Sequence, residues 1–332
     1  MQQQIEDFSK QLRKGLDLGP QLNAVPLMHE IRTVVIAASG SAGIAAHLVE
    51  SIVFDQLPVP VTILKSYEVP AFVNQHTLFI AISFSGDTEE TLAAVNQALH
   101  QQAMVGCITS GGKLLQVAQN KGLTQALIPT NITDSRTSLA LDFIFLLYLL
   151  KAYGLINDSF VEQVKAVAEL IDDREETIRK GAKSLAQALV GKLPILYGDS
   201  KIYPALVRFQ QQLNENARQL AHINVIPEMN HSELTGWLKP ETIVSATVLV
   251  LPLTDFDHPR VKLRIDICRP VFARKADAVA EVMITYGKSL LEQLLYLIHL
   301  FDWASFYLAE FNQVDVLKSE VADYLRAELS KA

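Results

Sequence analysis

Cysteine is nearly absent. The 332 residues hold two, Cys107 and Cys268, far apart in the chain. Two such residues form no disulfide framework and no metal-type ligand spacing. Cys107 lies in the apolar run Val105-Gly106-Cys107-Ile108 and reads as core. Positive charge is also short, with 29 Lys and Arg against 36 Asp and Glu and a formal net charge of -7. With no basic stripe to release counterions, nucleic acid is not an expected partner. An anionic ligand must be held by local donors. Membrane-spanning runs are lacking too. Leu139 to Leu150 is strongly apolar but short and contains Asp142, and Leu290 to Phe311 is interrupted by Glu292, His299, Asp302 and Glu310. The start, Met1-Gln2-Gln3-Gln4-Ile5-Glu6-Asp7, lacks the basic-then-apolar pattern of a signal peptide. These absences lead us to expect a soluble cytoplasmic protein with no membrane partner and no metal.

What is present supports a large core. Hydrophobic residues make up 49% and charged residues 20%, which argues against disorder and allows one large or two ordinary domains. Ile5, Phe8, Leu12 and Leu16 recur at helical spacing, and Gly19-Pro20 ends that segment. Then β and α patterns alternate. Strands are expected at 33–38, 60–64, 76–83, 103–109 and 125–129. Helices are expected between them, and a largely apolar helix at 135–153. Residues 157–192 read as a polar helical bridge. A second alternation has strands at 194–197, 241–251 and 279–286, a helix from Pro204 to about Ala221, a helix at 258–275 with a kink or break near Pro270, and a helix at 288–311. Residues 314–332 read as an amphipathic helical tail. The expectation is an α/β chain of two domains, 25–154 and 155–332, each a doubly wound parallel sheet flanked by helices.

Ligands of open parallel sheets bind outside the carboxyl ends of the strands. Ser39-Gly40-Ser41 follows the first strand, and Gly40 with Ser41 opens a helix whose N-terminus favours a phosphate. The bland alternative for Ser41 is a helix cap. Ser83-Phe84-Ser85-Gly86-Asp87-Thr88 crowds three hydroxyls, Ser83, Ser85 and Thr88, into one turn. Asp87 with Glu90 reads as a capping box, which leaves the hydroxyls unexplained. Neutral donors converging on a helix start suit a phosphate dianion. Arg136, in the hydroxyl-rich stretch 130–137, is either an anion-binding cation or a surface charge.

The stretch Gln212 to Trp237 carries the other candidates. Leu206, Phe209, Leu213, Ala217 and Leu220 form an apolar stripe with Glu215 nearly opposite, so pattern alone makes Glu215 an exposed helix residue. Asn214 and Asn216 beside it are poor helix formers, a hint of a hydrogen-bonded site. Asn230 with Glu233 reads as a capping box that puts His231 in a first helical turn, where the macrodipole favours neutral imidazole. The alternative is an ordinary surface histidine.

Together these residues resemble a known family. Ser-Phe-Ser-Gly-Asp-Thr-Glu-Glu-Thr-Leu resembles the phosphosugar-binding turn of sugar isomerase (SIS) domains. Gln-Leu-Asn-Glu-Asn-Ala-Arg, Pro-Glu-Met-Asn-His-Ser-Glu-Leu-Thr-Gly-Trp and Asp302 to Ala309 resemble the bifunctional phosphoglucose/phosphomannose isomerase family. The likeness spans nearly the whole chain as two tandem SIS domains. It implies aldose–ketose isomerisation of glucose 6-phosphate and mannose 6-phosphate to fructose 6-phosphate through a cis-enediolate, with no cofactor. The alternative is a phosphosugar-binding regulator without catalysis. The resemblance gives Glu215 the proton shuttle between carbon 1 and carbon 2. It gives His231 ring opening, contributed across the interface of a homodimer, and Arg136 enediolate stabilisation. Gly40, Ser41, Ser83, Ser85 and Thr88 would hold the phosphate. The family's C-terminal lysine falls on Arg326, with Lys318 as the other candidate. Arginine does not readily release a proton, so Arg326 would serve by hydrogen bonding. The chain departs from the family in its glycine-poor first turn, in Ser135 rather than proline before Arg136, and in having Asp315-Val316-Leu317-Lys318 where the family has Asp-Pro-Thr-Pro.

Overall fold

The computed structural model describes residues 1–332 apart from Thr133, Ser319, Ser330 and Ala332, and apart from the side chains of Asp323 and Arg326. The chain divides into two compact units, Asp7–Glu169 and Met1–Glu6 with Leu170–Ala332. The opening helix α1 (Gln2–Glu6) thus belongs with the later unit.

In the unit Asp7–Glu169, α2 (Phe8–Leu18) leads into β1 (Thr33–Ala38), α3 (Gly40–Ile52), β2 (Val61–Leu64) and β3 (Thr77–Ile82). Next come α4 (Glu89–His100), β4 (Met104–Thr109), α5 (Gly112–Lys121), β5 (Thr124–Leu127) and α6 (Leu139–Ala152). The five strands are parallel in the order β2-β1-β3-β4-β5. Successive side chains point to opposite faces. Val35, Ala37, Phe79, Ala81 and Cys107 therefore share one face, packed against Ala94, Val95 and Ala98 of α4 and Leu114 and Ala118 of α5. Near-continuous apolar runs are what a sheet covered on both faces requires. The order reverses between β1 and β3, which makes their carboxyl ends the switch point.

Helix α7 (Phe160–Leu189) contains the division between the units. The later unit continues with β6 (Leu193–Asp199), α8 (Tyr203–Glu215), β7 (His222–Ile226), α9 (Glu233–Gly236), α10 (Glu241–Val244) and β8 (Thr247–Thr254). Then follow α11 (Pro259–Ala273), β9 (Ala278–Ile284), α12 (Leu290–Phe311) and α13 (Glu320–Leu329). Its four strands are parallel in the order β7-β6-β8-β9. Tyr197, Leu249 and Leu251 pack with Ile265 and Phe272 of α11 and with Trp237. Helix α8 packs on α12, with Phe209 and Phe301 stacked at 4.1 Å. No helix among the described residues is long and apolar enough to cross a membrane.

Four expectations need correction. The helix expected to reach Ala221 stops at Glu215, because Arg218 adopts a left-handed φ of 53° and turns the chain into β7. That strand is absent from the sequence reading. The strand expected at 241–251 splits: Glu241–Val244 is a helical turn opened by Pro240, and β8 begins at Thr247. The helix expected at 135–153 is also interrupted. A 3₁₀ turn covers Ser135–Thr137, and Ser138 is the N-cap of α6. Lastly, Pro270 neither breaks nor ends α11, which runs on to Ala273.

Candidate active site

The first turn at the switch point is built by backbone conformation. Ser39 is the extended N-cap of α3 and Gly40 takes φ 56°, so Ser41 falls inside the first helical turn, buried at 9% exposure. The N-cap position therefore falls to Ser39, whose side chain makes no capping hydrogen bond.

The turn after β3 is built by hydroxyls. Ser83 Oγ and Thr88 Oγ1 lie 2.7 Å apart, and Gly86 N donates to Ser83 Oγ at 3.1 Å. The two hydroxyls carry two hydrogens and share one bond, which leaves one hydrogen to offer an incoming acceptor. Ser85 Oγ accepts from Asp87 N at 3.2 Å. Gly86 is obligatory here: its φ is 72°, and a Cβ would stand 1.9 Å from Gly111 O. Asp87 and Glu90 form no capping box. Thr88 is the N-cap of α4, and Asp87 Oδ1 accepts from Lys113 N at 3.1 Å. Ser110 Oγ donates to Phe84 O at 2.7 Å, so the turns after β3 and β4 are stitched together. The sequence reading missed Ser110, whose only signal was the neighbouring Gly111-Gly112.

Arg136 is not a free surface charge. Its side chain is 14% exposed, and Nε and Nη2 donate to Asp134 Oδ1 at 3.1 Å and Oδ2 at 2.6 Å. Asp134 Oδ1 also accepts from Arg136 N at 2.9 Å, which holds the 3₁₀ turn.

In the later unit, Glu215 closes α8 and is exposed. Its backbone carbonyl accepts from Arg218 Nη1. Gln219 Nε2 donates to Leu189 O and Lys192 O, both at 2.8 Å, just ahead of β6. The end of α8 thus lies at the amino edge of this sheet. A buried polar stripe, Arg208, Gln212 and Asn216, sets the rotation of α8. Arg208 binds Asp302 through two bonds of 2.9 and 3.0 Å, Gln212 donates to Asp302 at 3.2 Å, and Asn216 donates to Ser305 Oγ at 2.9 Å. The hint read from Asn216 therefore has a physical basis, while Asn214 is exposed.

His231 ends a 3₁₀ turn, Glu228–His231, and is exposed. The expected Asn230–Glu233 capping box does not form, so the macrodipole argument for His231 falls. Asn230 Nδ2 instead donates to Cys268 Sγ at 3.4 Å. Glu233 accepts from Tyr197 Oη at 2.7 Å, His222 Nε2 at 2.9 Å and Asn224 Nδ2 at 2.5 Å. Sequence offered Glu233 only as a capping partner for Asn230 and did not single out Tyr197, because their contact is tertiary. Lys318 is exposed between α12 and α13, and the Arg326 side chain lies outside the described residues.

A protein of Caldicellulosiruptor bescii named bifunctional phosphoglucose/phosphomannose isomerase is 32% identical over 338 residues, covering 100% of this chain and 99% of its own. The chain belongs to the bifunctional phosphoglucose/phosphomannose isomerase family. An Aquifex aeolicus protein of the same name is 32% identical over 82% of each chain. The family model described as bacterial phospho-glucose isomerase C-terminal SIS domain matches residues 178–329. Among solved structures, the C-terminal domain of glucosamine-fructose-6-phosphate aminotransferase from Francisella tularensis superposes with a TM-score of 0.74 at 16% identity, covering 94% of this chain and 96% of its own. That likeness supports the tandem SIS fold. Within this phosphoglucose/phosphomannose isomerase chain, the structure joins Ser83 to Thr88 directly and holds Ser85 in the same turn. Glu215 and His231 stand on separate elements with β7 between them in the chain.

Proposed function

We propose that this chain interconverts glucose 6-phosphate and mannose 6-phosphate with fructose 6-phosphate. The full-length match to a relative bearing that name carries the reading. In the open-chain sugar, the Glu215 carboxylate takes the proton from carbon 2 of the aldose. The carbon 1 carbonyl becomes a cis-enediolate, the hydroxyl proton passes from oxygen 2 to oxygen 1, and Glu215 returns the carbon-bound proton to carbon 1 as the carbonyl forms at carbon 2. Oxidation at one carbon balances reduction at its neighbour, so the reaction needs no external electron carrier. Arg136 stabilises the enediolate charge, as donors aimed at developing charge do. His231 opens the ring, contributed by the partner subunit of a homodimer. Gly40, Ser41, Ser83, Ser85 and Thr88 hold the phosphate, and the shared Ser83–Thr88 hydroxyl pair supports that role. Arg326 stands in the place of the family's C-terminal lysine and serves by hydrogen bonding, with Lys318 as the alternative.

A coupled assay for fructose 6-phosphate from each hexose phosphate tests the reaction. Glu215→Gln is expected to lower turnover by about 10²–10⁴-fold, the range for general acid–base groups, while phosphosugar binding persists. Undiminished turnover in that variant would remove Glu215 from the mechanism. Tight binding by the wild type without turnover would leave a phosphosugar-binding regulator instead.

A further inference from the structure

Asp142 has no part in the mechanism above, yet its surroundings constrain its protonation. It sits in the first turn of α6 at 0% exposure, flanked by Leu141 and Phe143, which are equally buried. Its Oδ1 is buried and meets no hydrogen-bond donor among the described residues. Its Oδ2 lies 2.7 Å from Ser138 Oγ, which also lies 2.9 Å from Ser135 O. A hydroxyl has one hydrogen. With Asp142 ionised, Ser138 can serve the carboxylate or the carbonyl but not both, and Oδ1 keeps unpaired charge in an apolar interior, which is costly. With Asp142 protonated, its O–H donates to Ser138 Oγ, and Ser138 O–H donates to Ser135 O. That arrangement gives Oδ2, Ser138 Oγ and Ser135 O each a partner, and it leaves Oδ1 without charge in the apolar interior.

We propose that Asp142 acts as a neutral acid whose proton relays through Ser138 to clamp the turn that carries Arg136. It is a positioning residue, and its effect on turnover rests on the Arg136 role given above. Ser135 and Arg136 are adjacent in the 3₁₀ turn, and Ser138 caps α6, so the relay joins the turn to the helix.

The charged surroundings leave Asp142 to its burial. Helix α6 packs against α2, α3, β4 and the 3₁₀ turns at Gly19–Gln21 and Ser135–Thr137. Helix α2 carries Lys10, Arg13, Lys14 and Asp17, and α3 carries His47 and Glu50. Lys10 pairs with Asp7, Lys14 with Asn131, His47 with Glu50 and Arg136 with Asp134. In β4, burial pushes the Cys107 thiol up to about 12 and keeps it neutral. The turn at Gly19–Gln21 has no charged residue. Burial raises the Asp142 carboxyl from 3.8 to about 7, against a smaller lowering from Ser138. The helix N-terminus favours the ionised form, but by less than burial disfavours it.

The experiment combines a carboxyl titration with pH–rate profiles. NMR of isotope-labelled aspartate carboxyls is expected to show one group that titrates near neutrality and disappears in Asp142→Asn. A wild-type spectrum with every aspartate ionised above the usual carboxylate range overturns the proposal, whatever the reaction proves to be. In the isomerase assay, wild-type kcat is expected to fall about tenfold from about pH 6 to about pH 8.5. Asp142→Asn, whose amide donates to Ser138 at every pH, is expected to lose that fall. Ser138→Ala, which cuts the relay but leaves the carboxyl, is expected to have low kcat at both ends. An unchanged alkaline fall in Asp142→Asn, or full turnover in Ser138→Ala, overturns the positioning role. A wild type that titrates as expected but turns over no hexose phosphate refutes the isomerase reading and, with it, the effect on turnover, while leaving the neutral acid standing.

Discussion

Glu233 holds the segment that carries His231. Tyr197, His222 and Asn224 all donate to it, and Trp237 Nε1 donates to Tyr197 Oη at 3.2 Å. Burial alone would raise its carboxyl, but the three hydrogen bonds outweigh that and hold it below its ordinary value of 4.5. A depressed carboxylate stabilises the fold above its unfolded pKa, and that contribution is lost as pH falls through the folded value. Glu233 is only partly buried, so Glu233→Gln is expected to cost about 0.5–1.5 kcal/mol near neutrality, the net range for a hydrogen bond. The urea midpoints of wild type and variant should converge as pH falls below 4.5. A gap that stays constant with pH would mean the charge contributes nothing. In sequence, Glu233 read as the partner of Asn230 because a capping box is a local pattern. Its real donors include Tyr197, 36 residues upstream, which no local pattern shows. The turn after β3 was legible for the converse reason: Ser83, Ser85, Gly86 and Thr88 make their contacts within a few residues.

Helix α8 was legible in its apolar face and not in its polar one. Leu206, Phe209, Leu213 and Ala217 are all buried at 1% exposure or less, as their spacing requires. Leu220, assigned to the same stripe, is 77% exposed because the helix has already ended. The stop is made by Arg218 in a left-handed conformation, where sequence offers no glycine or proline as a signal. The adjoining polar stripe depends on Asp302 and Ser305 of α12, about ninety residues away. That stripe sets how α8 presents Glu215, and the Arg208–Asp302 pair is its most demanding member, at 3% and 8% side-chain exposure. Asp302→Ala leaves the guanidinium buried without its carboxylate, and a loss of about 3–5 kcal/mol is expected from chemical denaturation. Replacing both partners, as in Arg208→Met with Asp302→Leu, should cost much less, because no buried charge then remains. Equal losses in the single and double variants would mean that packing, not charge pairing, holds the two helices.

At the scale of the molecule, the two βα alternations were legible because buried parallel strands are short apolar runs between turn residues. All five strands of the first unit were read, but β7 of the second was not, because Asn224 interrupts its apolar run. Sequence said little about the edge of the sheet at which each residue lies. The hydroxyl turns follow the carboxyl ends of β1 and β3, whereas Glu215 closes α8 at the amino edge of its own sheet. A histidine supplied by a partner subunit is one way to complete a site around Glu215. Mixing inactive protomers separates the two arrangements. Glu215→Gln and His231→Asn chains are purified, denatured together in equal amounts and refolded. If His231 acts across a two-fold interface, each mixed dimer regains one intact site. Mixed dimers form half the population, so about a quarter of wild-type activity is expected to return. If Glu215 and His231 of one chain serve the same site, every site in every dimer lacks one of them. Activity then stays at the level of the parent variants, and the partner role of His231 is refuted.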